Sequence, residues 1–238
     1  FAGLTFILLR IFKSLGTQAK AQDAFSRWSS AIKPSVGGMV FLVGFIMAMI
    51  PLLFYSDFSI DYLWILLAGI TAFSLGLWDD LKRISPTPKF AGQIITGLLL
   101  VLSDHTTNFV SHPDNSHWLL ILLDGGITIF IVVAVMNSVN MLDNMDGITS
   151  IVTIGIIANT IYRIFIHSDF NNMHLLVLIG VLSSVIAFLR FNWHPSKMYM
   201  GDTGSQFLGV FLAAMGIIYF WNDPYASLAP ATGDRKSV

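Results

Sequence analysis

The sequence predicts an all-α fold, a polytopic transmembrane helix bundle with about seven full spans plus a shorter N-terminal one. Composition is the first reason: of 238 residues, 55% are hydrophobic and 11% charged. The mean hydropathy of +0.72 lies outside the range of water-soluble domains. The second is a series of apolar runs long enough to be spans, separated by short polar strings. The third is the alternation of lysine and arginine between successive loops.

Taken in order, the runs fall at about Val36 to Tyr55, Tyr62 to Trp78, Phe90 to Ser103, Gly125 to Leu142, Ile148 to Ile166, Met173 to Phe191 and Ser205 to Trp221. The Phe90 run is short and begins beside Lys89, whose stem can lift its ammonium to the interface. Residues Phe1 to Phe12 read as the end of a truncated first helix, and the tail after Trp221 is polar with no further span. The expectation is one integral membrane domain, residues 1–238, cut at both ends. Lys13 to Lys33, basic but carrying Leu15, Phe25, Trp28 and Ile32, suits either an interfacial helix on anionic headgroups or a solvated loop.

Orientation follows from the basic residues. Lys13, Lys20, Arg27 and Lys33 precede the first full span, Lys82, Arg83 and Lys89 follow the second, and Arg190 and Lys197 follow the sixth. The alternate loops hold only Arg163 before the tail. The positive-inside rule puts the N-terminal segment and the loops after spans two, four and six in the cytoplasm. A net charge of −1 gives no reason to expect nucleic acid, and the absence of cysteine excludes disulfides and thiolate metal sites.

Three polar strings interrupt the apolar pattern, all on that same predicted face: Trp78-Asp79-Asp80, Asn137 to Gly147, and Met200 to Ser205. Charge at a membrane boundary is costly unless something uses it. Asp79 and Asp80 close a helix and, being adjacent, point in different directions, so one can face a metal or phosphate while the other holds a neighbouring cation. Their position opposes the helix dipole; a plain polar helix end is the alternative. Asn140, Asp143, Asn144 and Asp146 sit at spacings of three and four and so form one polar flank on a helix before Gly147. Such hard oxygen ligands suit Mg²⁺ or Mn²⁺, and a polar helix contact is the alternative. In Gly201-Asp202-Thr203-Gly204-Ser205 the glycines allow close approach of a ligand, helix-start amides can face phosphate oxygens, and Asp202 can ligate a cation; an N-cap by Asp202 or Ser205 is the alternative.

The remaining signals are weaker. His105, His112 and His117 share one external loop that supplies no other ligands, and His167 and His174 read as ordinary polar positions. His194, just before Pro195, is a candidate substrate contact. In Lys33-Pro34-Ser35-Val36-Gly37-Gly38 and Lys89-Phe90-Ala91-Gly92-Gln93 a lysine could meet a phosphate.

Together the strings resemble the polyprenyl-phosphate N-acetylhexosamine-1-phosphate transferases, within the glycosyltransferase family 4 and lipid I synthase superfamily, from Lys33 to about Gly209. The resemblance implies transfer of a sugar-1-phosphate from a UDP-N-acetylhexosamine to undecaprenyl phosphate at the cytoplasmic face of a bacterial inner membrane, with release of UMP and start of a cell-envelope polysaccharide. It assigns catalysis to Asp79, Asp80, Asp143 and Asp146, Mg²⁺ (or Mn²⁺) to Asp202, and substrate binding to Lys33, Lys89, Asn137, Asn140, Asn192 and Tyr199. Among these, Asp79 is implied as the base toward the lipid phosphate and Tyr199 as a ring stacking on uracil. The partners implied are the UDP-sugar, the polyprenyl phosphate and the bilayer, with a homodimer left open. Two features depart from the family's pattern: Asp-Asn-Met-Asp-Gly replaces the commoner Asp-Gly-x-Asp-Gly, and the family runs about a hundred residues further at its C-terminal end. UDP-GlcNAc leads as donor because the lipid I enzymes carry Thr-Pro-Thr-Met-Gly-Gly where this chain has the Lys33 string. Phospho-MurNAc-pentapeptide transfer is the alternative, and a cation-coupled transporter, with acids near the midplane and pseudo-symmetric halves, is the rival from another class.

Overall fold

The computed structural model describes residues 37–52, 54, 61–103, 106–107, 118–167 and 172–222. Lys33 and the basic segment before it lie outside the described residues, as do His105, His112 and His117. Seven helices follow one another: α1 (Gly38–Leu52), α2 (Asp61–Lys82), α3 (Pro86–Leu102), α4 (Trp118–Leu142), α5 (Ile148–Ile166), α6 (Met173–Asn192) and α7 (Gly201–Gly216), the last continued by a π-helical turn, Ile217–Trp221. No strand occurs among the described residues. Each predicted span falls on one helix.

Five of these helices are long and apolar enough to cross a membrane, which makes this a multi-pass membrane protein. The other two are shorter than predicted spans should be. α1 has 15 residues and α3 has 17, about 23 and 26 Å at the helical rise. Boundaries also differ at the polar strings. The last span was expected to start at Ser205, but the helix starts at Gly201, so the glycine-aspartate string is its first turn. α3 likewise starts at Pro86 rather than Phe90, with proline in the first turn where no amide is needed, and this brings Lys89 into the helix. Hydropathy ends a span at the first charge; backbone hydrogen bonding does not.

α7 is the central post. Residues Thr203 to Met215 are all buried, and it packs against α1, α2, α3, α4 and α5. Phe207 and Phe211 of α7 meet Phe45 of α1 edge-on, with ring centroids 5.5 and 6.0 Å apart. Close approach near its start depends on glycine. A Cβ on Gly76 of α2 would come within 2.3 Å of the Asp202 carbonyl oxygen, and one on Gly38 of α1 within 2.2 Å of the Gly204 nitrogen. Gly37 and Gly38 amides also donate to the Tyr199 and Met200 carbonyls. The chain therefore runs up and down, gathering the ends of α2, α4 and α6 and the starts of α1, α3, α5 and α7 at one end of the bundle.

Candidate active site

Asp80 sets the position of the site. Its Oδ1 accepts from the Asp202 amide at 3.2 Å, and its Oδ2 from the Thr203 amide at 2.9 Å and the Thr203 hydroxyl at 2.6 Å. The α7 N-cap, Met200, makes no side-chain cap bond. A carboxylate from another helix thus satisfies amides that would otherwise be left open at the start of α7, and its charge opposes the positive end of that helix. The sequence offered a local cap by Asp202 or Ser205 as the alternative to a ligand role; the cap comes instead from 122 positions away.

Its neighbour Asp79 turns the other way. Oδ1 accepts from the Ile84 amide at 3.1 Å, and Oδ2 from Lys89 Nζ at 2.6 Å. The turn between α2 and α3 is tight, closed by Arg83 in the left-handed region (φ 48°), whose amide donates to the Asp79 carbonyl at 2.8 Å. That turn places Lys89 within reach of two carboxylates: Nζ also donates to Asp202 Oδ1 at 2.9 Å. Lys89 precedes the apolar stretch of α3. Burial works against its ammonium, but hydrogen bonds and attraction from Asp79 and Asp202 outweigh this and raise its pKa above the ordinary lysine value.

Asn140, on α4, completes the layer by donating from Nδ2 to Asp202 Oδ1 and, at 2.9 Å, to Ser205 Oγ. One turn deeper lies a second layer of side-chain amides. Gln93 Nε2 donates to Gln206 Oε1 at 3.0 Å and to Asn137 Oδ1 at 3.3 Å, while Asn137 Nδ2 donates to Gln93 Oε1 at 2.9 Å and to the Val133 carbonyl at 2.8 Å.

A second network flanks the first. Asp146 Oδ2 accepts from the Ser196 amide and meets His194 Nδ1, both at 3.1 Å. Asn192, predicted beside the nucleotide, is buried and braced by backbone on both sides: its Oδ1 accepts from the Gly147 amide at 2.8 Å and its Nδ2 donates to the Met198 carbonyl at 2.9 Å. Gly147 sits in the left-handed region at φ 77°, which allows the sharp passage from α4 into α5. Tyr199 is half-buried in the segment that Asn192 and Asp146 hold, and Asp143 is half-buried at the end of α4.

Of the predicted site residues, Asp79, Asp80, Lys89, Asn140 and Asp202 form one connected network, and Asn137 belongs to the amide layer beside it. Asp146 and Asn192 organise the loop that carries Tyr199. Gln93 appeared in the sequence only within the Lys89 string, and Gln206 not at all. The available signal was the repeat of a four-residue spacing, Lys89 to Gln93 on α3 and Asp202 to Gln206 on α7. The oxygen-rich donor set of Asp79, Asp202 and Asn140 is chemically suited to a hard divalent cation. Among the described residues no three acids or histidines are grouped for a metal; the Lys89 ammonium holds the place between Asp79 and Asp202.

The sequence that builds this site has counterparts among known proteins. The glycosyl transferase family 4 model matches residues 62–220. The chain belongs to that family. Among similar proteins, a phospho-N-acetylmuramoyl-pentapeptide-transferase of Dictyoglomus turgidum is 31% identical over 87% of this chain and 66% of its own length. One of Lactococcus lactis subsp. cremoris is 30% identical over 90% of this chain and 68% of its own length. A probable undecaprenyl-phosphate N-acetylglucosaminyl 1-phosphate transferase of Bacillus subtilis is 25% identical over 90% of this chain and 59% of its own. The chain therefore spans about two thirds or less of these family 4 relatives. Of the motifs that carried the resemblance, Asp79-Asp80, Asn137 to Gly147 and Gly201 to Ser205 lie at one end of the bundle.

Proposed function

We propose that this family 4 chain transfers N-acetylhexosamine-1-phosphate from a UDP-sugar to undecaprenyl phosphate, releasing UMP. The observation that carries the reading is the junction of Asp79, Lys89, Asn140 and Asp202, supplied by four helices at one end of a membrane bundle. Two phosphorylated substrates repel each other, and a junction of this kind offers a cation to the phosphates while fixed carboxylates orient it. A lipid substrate stays in the bilayer and a nucleotide in water, so a bundle end is the place where they can meet.

In the reaction, an oxygen of the lipid phosphate attacks the sugar-linked phosphorus, the bond to the bridging oxygen breaks, and UMP leaves with that oxygen. Asp202, with Asn140, would hold Mg²⁺, which there would neutralise charge on the phosphate oxygens. Lys89 serves the phosphates from the same junction, and Asp79 is the base. Direct attack by the lipid phosphate is the preferred route, with a phospho-aspartyl route as the alternative. Tyr199 offers its ring to the uracil, on the loop braced by Asn192 and Asp146.

The donor is UDP-GlcNAc on the wording of the Lys33 string. A second reading, phospho-MurNAc-pentapeptide transfer, is favoured by the 30–31% identity to the relatives of that name. The deciding assay incubates purified protein with undecaprenyl phosphate, Mg²⁺ and either radiolabelled UDP-GlcNAc or UDP-MurNAc-pentapeptide. Label in the lipid phase from the first donor supports the reading, label from only the second replaces the sugar, and label from neither removes the transferase assignment. The distribution of lysine and arginine further supports a bacterial cytoplasmic membrane location with the site facing inward. Ser85 is exposed and the chain has no cysteine, so Ser85→Cys should resist an impermeant thiol reagent in intact cells. Rapid labelling from outside would invert the topology.

A further inference from the structure

The two stacked layers use the same three helices. In the outer one, Lys89 of α3 and Asn140 of α4 both bond Asp202 of α7. In the inner one, Gln93 of α3 bonds Asn137 of α4 and Gln206 of α7. Gln93 lies four residues beyond Lys89, Gln206 four beyond Asp202, and Asn137 three before Asn140 on a helix running the other way. Each inner residue is thus one turn below its outer counterpart on the same helix face. The outer layer is charged and partly open; in the inner one Gln93 and Gln206 are buried, at 1% and 0% exposure, and Asn137 is exposed at its edge.

The inner layer has a defined polarity. The Val133 carbonyl can only accept, so Asn137 presents Nδ2 to it and to Gln93 Oε1. Gln93 then presents Nε2 to Gln206 Oε1. Gln206 Nε2 is the group left over, buried without a hydrogen-bond partner. Leaving a buried donor unmatched is unfavourable, and an unbranched apolar side chain would fill the same space without that penalty. Stability alone therefore does not account for an amide here. A directional three-way contact does fix how far α3 can slide along α4 and α7, in the way that one buried polar residue sets the register of packed helices.

We propose that Gln93 is a positioning residue: by joining Asn137 to Gln206 it holds α3 in the register at which the Lys89 ammonium reaches Asp79 and Asp202 together. The consequence for phosphate chemistry rests on the proposed transfer reaction, but the effect on Lys89 does not.

The test is competitive labelling of lysines in the purified protein with an amine-acylating reagent, read by mass spectrometry. Lys82 and Lys197, both exposed, serve as internal references. Held by two carboxylates, Lys89 should react slowly. Gln93→Met, which keeps length and volume, should raise the Lys89 rate relative to the references by about fivefold to tenfold, the scale of one net hydrogen bond. Gln206→Met should do the same by removing the other side of the junction. Because the two act through one contact, the double variant should add little to either single change. Turnover should fall in each variant. Unaltered Lys89 protection in both single variants, multiplicative effects in the double variant, or an equal rise at all three lysines would each overturn the proposal. Loss of Lys89 protection in a protein with no transferase activity would instead uphold the positioning role and refute the reaction.

Discussion

The two ends of the bundle use polar side chains in different ways. Away from the motifs, the Tyr219 hydroxyl bonds Asn172 Oδ1 and His174 Nδ1, each at 2.9 Å, and the Asn172 oxygen also receives the His174 amide at 3.0 Å. Nearby at that end, the Thr107 amide donates to Thr128 Oγ1 at 2.9 Å and Asn222 Nδ2 to the Thr106 carbonyl at 2.7 Å. Most of these bonds involve neutral groups, and Tyr219, Thr107 and Thr128 are fully buried. At the motif end the bonds join charged groups from distant helices, and the Asp202 side chain remains 31% exposed. A closed neutral network ties down helix ends. A charged network left partly open keeps an interaction available for something that arrives, at the cost of desolvating its members.

The contrast can be broken most sharply at Asp202. Asp202→Asn keeps size but removes the charge shared by Lys89 and Asn140, and turnover should fall by about 10²-fold or more. Near-normal turnover with an unchanged Mg²⁺ requirement would place the metal elsewhere.

Next comes the adjacent pair, which occupies the motif end but divides its two uses. Asp79→Asn should lower turnover by about 10²-fold with little change in UDP-sugar affinity, since a base acts in the transition state. Asp80→Ala should show itself first in stability, by about 1–2 kcal/mol in a thermal or denaturant unfolding experiment, because it removes the cap of α7. Equal stability losses in the two variants would erase the division.

Smaller still is Tyr199→Ala, expected to weaken UDP-sugar binding by roughly 1–3 kcal/mol if a base stacks on the ring. Calorimetric titration reads this directly, and unchanged binding would move the nucleotide away from the 193–200 loop. The least effect on chemistry is expected at the far end. Tyr219→Phe should cost about 0.5–1.5 kcal/mol of stability through lost hydrogen bonds and leave turnover per folded molecule unchanged. A fall in turnover there would couple the two ends and remove the contrast.

The apolar runs determined the helical class and the seven helices among the described residues, because burial in a bilayer demands length and hydropathy that can be counted along the chain, and with the lysines and arginines they grouped the three polar strings on one side. Family membership was also legible, since Asp79-Asp80, the Asn137 to Gly147 string and the Gly201 string preserve order and spacing. What could not be counted was which side chains meet. Asp79 and Asp80 are equivalent on paper, yet one holds Lys89 and the other caps α7, a difference set by the crossing of α2 over α7 at Gly76. Asn192 was named only through the resemblance, and only the fold shows both sides of its amide bonded to backbone. Gln93 and Gln206 carried no charge and no motif of their own. Their meeting across 113 positions depends on how far α3 slides along α7, and helix register is a property of packing between segments, not of any segment alone.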